Sequence, residues 1–160
     1  GMKNEIFFKF FHIPLLEESK ELYSKISKYK FCIIHSSTSQ GVLFNTNETL
    51  KKINIDKNEI LCLDIDSNIY PEDHPYFSIA SEFINKPIFH YYLPLIKANH
   101  LVLSDSALFC IAIASKLESK NLYYYSRSNR KDVCDYIDFE RSKYYSKDIN
   151  QSKLIDIKYK

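Results

Sequence analysis

The chain reads as an α/β protein, a three-layer sandwich built on a mostly parallel sheet. Two observations predict this. Short apolar runs alternate with segments of helical character along the sequence. Those runs are continuously apolar rather than alternating, as in strands buried on both faces beneath helices. The carboxyl ends of the runs are polar, where open α/β sheets carry their ligands. At 160 residues the chain suits one domain, which we place at residues 3–160. Gly1-Met2 reads as the remnant of a cleaved tag, and 131–160 as a possible carboxyl-terminal extension.

Each element has a local reason. Asn4 is placed to cap a short helix through Phe11 that stops before Pro14. Leu15–Tyr29 has Leu15, Leu22, Tyr23 and Ile26 near helical spacing. Phe31–His35 is the first strand, and the polar stretch Ser36–Gly41 is its loop. Glu48–Ile53 predicts a short helix, and Ile60–Ile65 a second strand closed by Asp64, Asp66 and Ser67. Two prolines make Asn68–Pro75 a loop. Tyr76–Ile84 and Ile88–Ala98 are helical, with Pro94 kinking or dividing the second. Leu101–Leu103 is a third strand ending at Ser104-Asp105. Ser106 is a natural N-cap for the apolar helix Ala107–Leu117. Leu122–Tyr125 is a fourth strand, Arg130–Arg141 a helix, and Leu154–Tyr159 a last strand or tail. The whole is of Rossmann-like type.

Composition narrows the function classes. There are 22 basic and 20 acidic side chains, a net charge of +2. That balance argues against a nucleic-acid binder or an anionic-membrane binder. With only two glycines, Gly1 and Gly41, neither G-x-G-x-x-G nor a Walker A loop can form. The four cysteines, Cys32, Cys62, Cys110 and Cys134, each lie in an apolar segment without a C-x-x-C pair. They read as reduced core residues of an intracellular, cytoplasmic protein. Ile6–Leu16 is interrupted by Lys9, His12 and Pro14, so it is neither a signal-peptide core nor an integral membrane segment.

Candidate site residues fall at the polar strand ends. At Ser104-Asp105-Ser106-Ala107 a strand meets a helix, whose first N–H groups are unpaired and carry partial positive charge. Such a turn suits a diphosphate; simple capping by Asp105 or Ser106 is the other reading. His35 ends the first strand and can serve as a base or a phosphate donor, or rest half-buried on a backbone partner. Arg127 and Arg130 are two of only three arginines among 22 basic residues. Guanidinium groups bind phosphate with paired hydrogen bonds, and a solvated loop is the alternative. Asp64-x-Asp66 is similar to the carboxylate pairs of GT-A glycosyltransferases and of haloacid-dehalogenase-like phosphatases, but Asn68 departs from the phosphatase pattern. Solvated or capping carboxylates are the alternative, and we assign no metal and no cofactor.

The segment from Pro87-Ile88-Phe89-His90-Tyr91-Tyr92-Leu93-Pro94-Leu95-Ile96-Lys97-Ala98 through Leu101-Val102-Leu103-Ser104-Asp105-Ser106 resembles the carboxyl-terminal lobe of GT-B glycosyltransferases, heptosyltransferases included. A helix reading "LI..A" leads there into a strand, then "DS", then an apolar helix. Phe31–Gly41 resembles that lobe's first strand and loop, and Asn121–Arg127 the strand after the "DS" helix, so the resemblance spans roughly residues 30–130. It implies a nucleotide-sugar donor held through its diphosphate by Ser104, Asp105, Ser106 and Ala107. Ser36, Ser37, Thr38 and Ser39 would face the phosphates or an unknown acceptor. The implied chemistry is metal-independent, with His35 as the catalytic candidate and Arg127, Arg130 and Lys97 as charge-stabilising groups. Ala107 stands where the pattern has Gly, and Cys110 where it has His. The chain has room for one lobe only, so by this resemblance it is a piece of a two-lobed enzyme, a one-lobe relative, or a lobe that works with a partner lobe or a second copy. Two other readings stay open: a non-catalytic binding or assembly domain of the same fold, and a Mg²⁺-dependent phosphatase built on Asp64 and Asp66.

Overall fold

The computed structural model describes residues 13–38, 41–42, 44–104, 106–115, 117–119, 121–125 and 155–156. Among the described residues the sheet has five strands, all parallel: β1 (Phe31–His35), β4 (Leu61–Asp64), β5 (His100–Ser104), β6 (Leu122–Tyr125) and the two-residue β7 (Ile155–Asp156). Their spatial order is β4-β1-β5-β6-β7. Cys32 lies opposite Cys62 on one side and His100 on the other, so β1 is central. This is the doubly wound, Rossmann-like α/β fold that the alternation of elements predicts.

The strands form where buried apolar runs make them form. Phe31, Cys32, Ile33, Ile34, Leu61, Leu63, Leu101, Val102 and Leu103 are all buried. The helices are α1 (Glu17–Ser24), α2 (Thr46–Lys52), α3 (Phe77–Ser81), α4 (Tyr92–Lys97) and α5 (Ala107–Ala114). With this strand order, the right-handed rule for parallel crossovers assigns α2 to one face and α3, α4 and α5 to the other. α1 packs on α4, and α4 on α5. No helix among the described residues is long and apolar enough to cross a membrane.

Several boundaries differ from the sequence expectation. α1 is shorter than Leu15–Tyr29, which continues as turns after Ser24. α2 starts earlier than Glu48, because Asn45 caps it: Glu48 N–H donates to Asn45 Oδ1 at 3.1 Å. It ends in a Schellman turn, with Ile55 N–H on Leu50 O, Asn54 N–H on Lys51 O, and Asn54 at φ 58°. The division expected at Pro94 falls three residues earlier, where a 3₁₀ turn (Ile88–Tyr91) passes into α4. Pro94 then lies in the first turn of α4, where a missing N–H costs nothing. α5 stops at Ala114 rather than Leu117, and Ser115 turns its hydroxyl onto Ile111 O at 2.6 Å. The loop after β1 holds a small antiparallel ladder, β2 (Ser37–Thr38) with β3 (Gly41–Val42). Gly41 serves it with φ 113°, where a side chain is strained.

The expected helices at Asn4–Phe11 and Arg130–Arg141 lie outside the described residues, as does Cys134. Cys32 and Cys62 are buried and free, but Cys110 is exposed. α5 is apolar all round, so its sequence gives no periodicity from which to tell the outer face.

Candidate functional site

The strand order sets the place. Neighbours of β1 diverge: the chain leaves β1 for β4 on one side and returns to β5 on the other. The carboxyl ends of β1 and β5 therefore flank a topological switch point, where such sheets open a crevice. His35 closes β1, Ser104 closes β5, and Ser106 opens α5 beside it.

These residues meet across the switch point. His35 Nδ1 lies 2.8 Å from Ser106 Oγ. The Ser104 hydroxyl donates to Ser37 O at 2.6 Å, tying the end of β5 to the loop after β1. Ser106 stands at the N-cap position, yet its side chain makes no capping bond. The expected role of Ser106 as a capping side chain is thus corrected: its hydroxyl is spent on His35. The first N–H groups of α5 are left to another acceptor by helix geometry. Ala107, the first residue of α5, is exposed and carries only a methyl group.

The two carboxylates form the other wall. Asp66 Oδ2 accepts from the N–H groups of Ser36 and Ser37, each at 3.0 Å. Its Oδ1 faces His35 Nε2 at 3.6 Å. Asp64 is buried; Thr46 Oγ1 donates to its Oδ2 at 2.5 Å and Asp66 N–H to its Oδ1 at 3.1 Å. Burial pushes the Asp64 carboxyl up to about 6, against the Thr46 and Asp66 hydrogen bonds that pull it down. Burial lowers His35 from its ordinary value, and the Asp66 charge opposes that shift. Both Asp64 oxygens are committed to protein donors. Among the described residues no group of three His, Cys, Asp or Glu is placed to hold a metal ion. The carboxylate pair thus reads as scaffolding for the β1 loop rather than as an open ligand set.

Of the residues expected at the site, His35, Ser36, Ser37, Ser104, Ser106 and Ala107 gather at this edge. The backbone of Thr38 joins them in β2. Ser39, Asp105, Arg127 and Arg130 lie outside the described residues. Lys97 does not join them. It ends α4 just before β5 begins, at the opposite edge of the sheet, and its ammonium pairs with Glu118. Asp66 belongs to the site as a partner of His35, Ser36 and Ser37; the sequence reading weighs it as a solvated or capping carboxylate or a metal ligand and does not place it among the site residues. The signal was its position at a strand end; its partners are about 30 residues away in sequence. No family model, curated protein or solved structure matches the chain.

Proposed function

We propose that the crevice between β1 and β5 holds the diphosphate of a nucleotide-sugar donor, and that the chain is a GT-B-like donor-binding domain of a glycosyltransferase. One observation carries the reading. An imidazole from β1 and a hydroxyl from the start of α5 meet at 2.8 Å across the switch point. α5 begins at the next residue, and the Ser106 side chain makes no capping bond to its first N–H groups. A diphosphate there would take hydrogen bonds from the helix start and from Ser106. His35, once protonated, would add a charge-assisted one. In the transfer step those donors, with Arg127 and Arg130, would stabilise the departing nucleoside diphosphate.

A thermal-stability screen against nucleoside diphosphates and nucleotide sugars tests this. A ligand at a hundred times its dissociation constant adds about 2.7 kcal/mol. For a chain of this size that raises the midpoint by roughly 5 °C. We expect a selective shift that Ser106→Asp abolishes by placing a negative charge at the phosphate position. No shift with any nucleotide would favour the non-catalytic assembly domain instead.

A further inference from the structure

The pair His35 and Ser106 continues into a third side chain, Asp66, that the diphosphate reading does not use. Ser106 Oγ contacts His35 Nδ1 at 2.8 Å, and His35 Nε2 faces Asp66 Oδ1 at 3.6 Å. The other Asp66 oxygen is pinned by the Ser36 and Ser37 N–H groups. The three residues come from β1, the loop after β4 and the start of α5, so no helical or strand period brings them together.

The donor and acceptor at the short contact depend on the tautomer of His35, and the Asp66 charge beside Nε2 favours one of the two. An ionised carboxylate only accepts, so the proton of a neutral imidazole belongs on Nε2, towards Asp66. Nδ1 is then a lone pair, and the Ser106 hydroxyl must be the donor of the short contact. A serine hydroxyl donating to a neutral imidazole, itself oriented by a carboxylate, is the arrangement that activates serine as a nucleophile. Ser106 is half-buried rather than sealed, and its hydroxyl does not cap α5. Burial lowers the His35 pKa from its ordinary value, against the Asp66 charge, which favours the neutral ring.

We propose that Ser106 is a nucleophile that accepts the acyl group of an activated ester, with His35 as its general base and Asp66 as the positioning residue. Ser106 Oγ attacks the ester carbonyl carbon as its proton passes to His35 Nδ1. The tetrahedral intermediate collapses, the ester C–O bond breaks, and the departing alcohol takes the proton from His35. The acyl group remains on Oγ. Water then attacks the acyl carbon, His35 takes its proton and returns it to Oγ, and the carboxylic acid leaves. The first N–H groups of α5, which begins at the next residue, supply oxyanion donors. This activity does not rest on nucleotide binding, and either can fail alone.

The test treats the full chain with p-nitrophenyl acetate and, separately, with a fluorophosphonate, and reads adducts by intact mass and peptide mapping. The expected result is one adduct, on Ser106, absent in Ser106→Ala. His35→Gln should slow labelling by at least about 100-fold, the usual share of a general base. Asp66→Asn places an amide N–H against Nε2, which forces the ring proton onto Nδ1 and should slow labelling by about 10-fold or more. It should also move the pH midpoint of the residual rate downwards. Among the described residues Asp66 is the charge facing His35, with Asp64 behind it, and the Asp66 charge is what raises the His35 pKa. Thermal midpoints of all three variants report that they are folded. Absence of an adduct in the folded wild-type chain, an adduct elsewhere, or an equal rate in His35→Gln overturns the proposal. None of these results bears on nucleotide-induced stabilisation, so the two readings are judged separately.

Discussion

Asp64 ends β4 with 2 % of its surface exposed, and its carboxyl is pushed up to about 6 by burial. An unfolded aspartate titrates near its ordinary value of 3.8. Between those values the folded chain binds more protons than the unfolded one, so stability falls as pH rises through that window. The difference, of the order of 3 kcal/mol, is present as a cost at pH 7 and gone below about pH 4. His35 acts in the opposite sense. Its pKa is lowered by burial, so it costs stability as pH falls below its unfolded value near 6.5. Asp64→Asn keeps an acceptor for the Asp66 N–H and offers its amide to Thr46 Oγ1. It should therefore gain stability over the wild type at pH 8 and lose that advantage by pH 4. Urea denaturation at the two pH values measures this, and a pH-independent difference would refute the assignment. The pair Asp64 and Asp66 was legible as two carboxylates at a strand end. Which way they turn was not, because their partners Thr46, Ser36 and Ser37 lie 18 to 30 residues away.

Among the elements, the strands were the most legible and the helix ends the least. A strand buried on both faces must be apolar at every position, which a short run such as Phe31–Ile34 displays directly. A helix end depends on one cap, and Asn45 and Asn54 sit in a polar stretch where several residues offer similar chemistry. β4 adds a requirement of its own, because it is the edge of the sheet. The Cys62 N–H is met by the Tyr70 hydroxyl at 2.7 Å, and that hydroxyl donates in turn to Lys57 O at 3.1 Å. The loop carrying Tyr70 thus covers the edge and removes a template for pairing with another chain. The Tyr70 ring also stacks on His74, with centroids 4.4 Å apart. Tyr70→Phe keeps the ring and deletes the hydroxyl, leaving a buried N–H without a partner. It should cost about 1–3 kcal/mol. Equilibrium denaturation reads that loss; a change within about 0.5 kcal/mol, typical of surface positions, would mean that water takes over the edge.

For the molecule as a whole, the strand order decides which polar strand ends flank the switch point, where such sheets bind ligands. Sequence showed the four ends but not their order, since β1 pairs with strands that start 30 and 69 residues further on. Once β1 lies between β4 and β5, residues 35–37, 66, 104 and 106 are forced onto one edge. The bond from Ser104 to Ser37 and the contact of His35 with Ser106 tie β1 and its loop to the end of β5 and the start of α5 across the switch point. The opposite edge is held separately, by Asn99 Oδ1 accepting from Phe31 N–H at 2.8 Å and Phe31 O accepting from Asn99 N–H at 3.0 Å. A ligand at the crevice should therefore tighten one edge without the other. Hydrogen exchange distinguishes the edges. In the free chain, amides of β1 and β5 should exchange slowest, because each strand is paired on both sides and exchanges only through large openings. A nucleotide that stabilises the chain should slow exchange at the start of α5, around Ala107–Phe109. It should slow Phe31 and Asn99 only by the global stabilisation that the thermal shift already measures. Extra protection at Phe31 and Asn99 would place the ligand at the amino edge, and the switch-point crevice would lose its claim to the diphosphate.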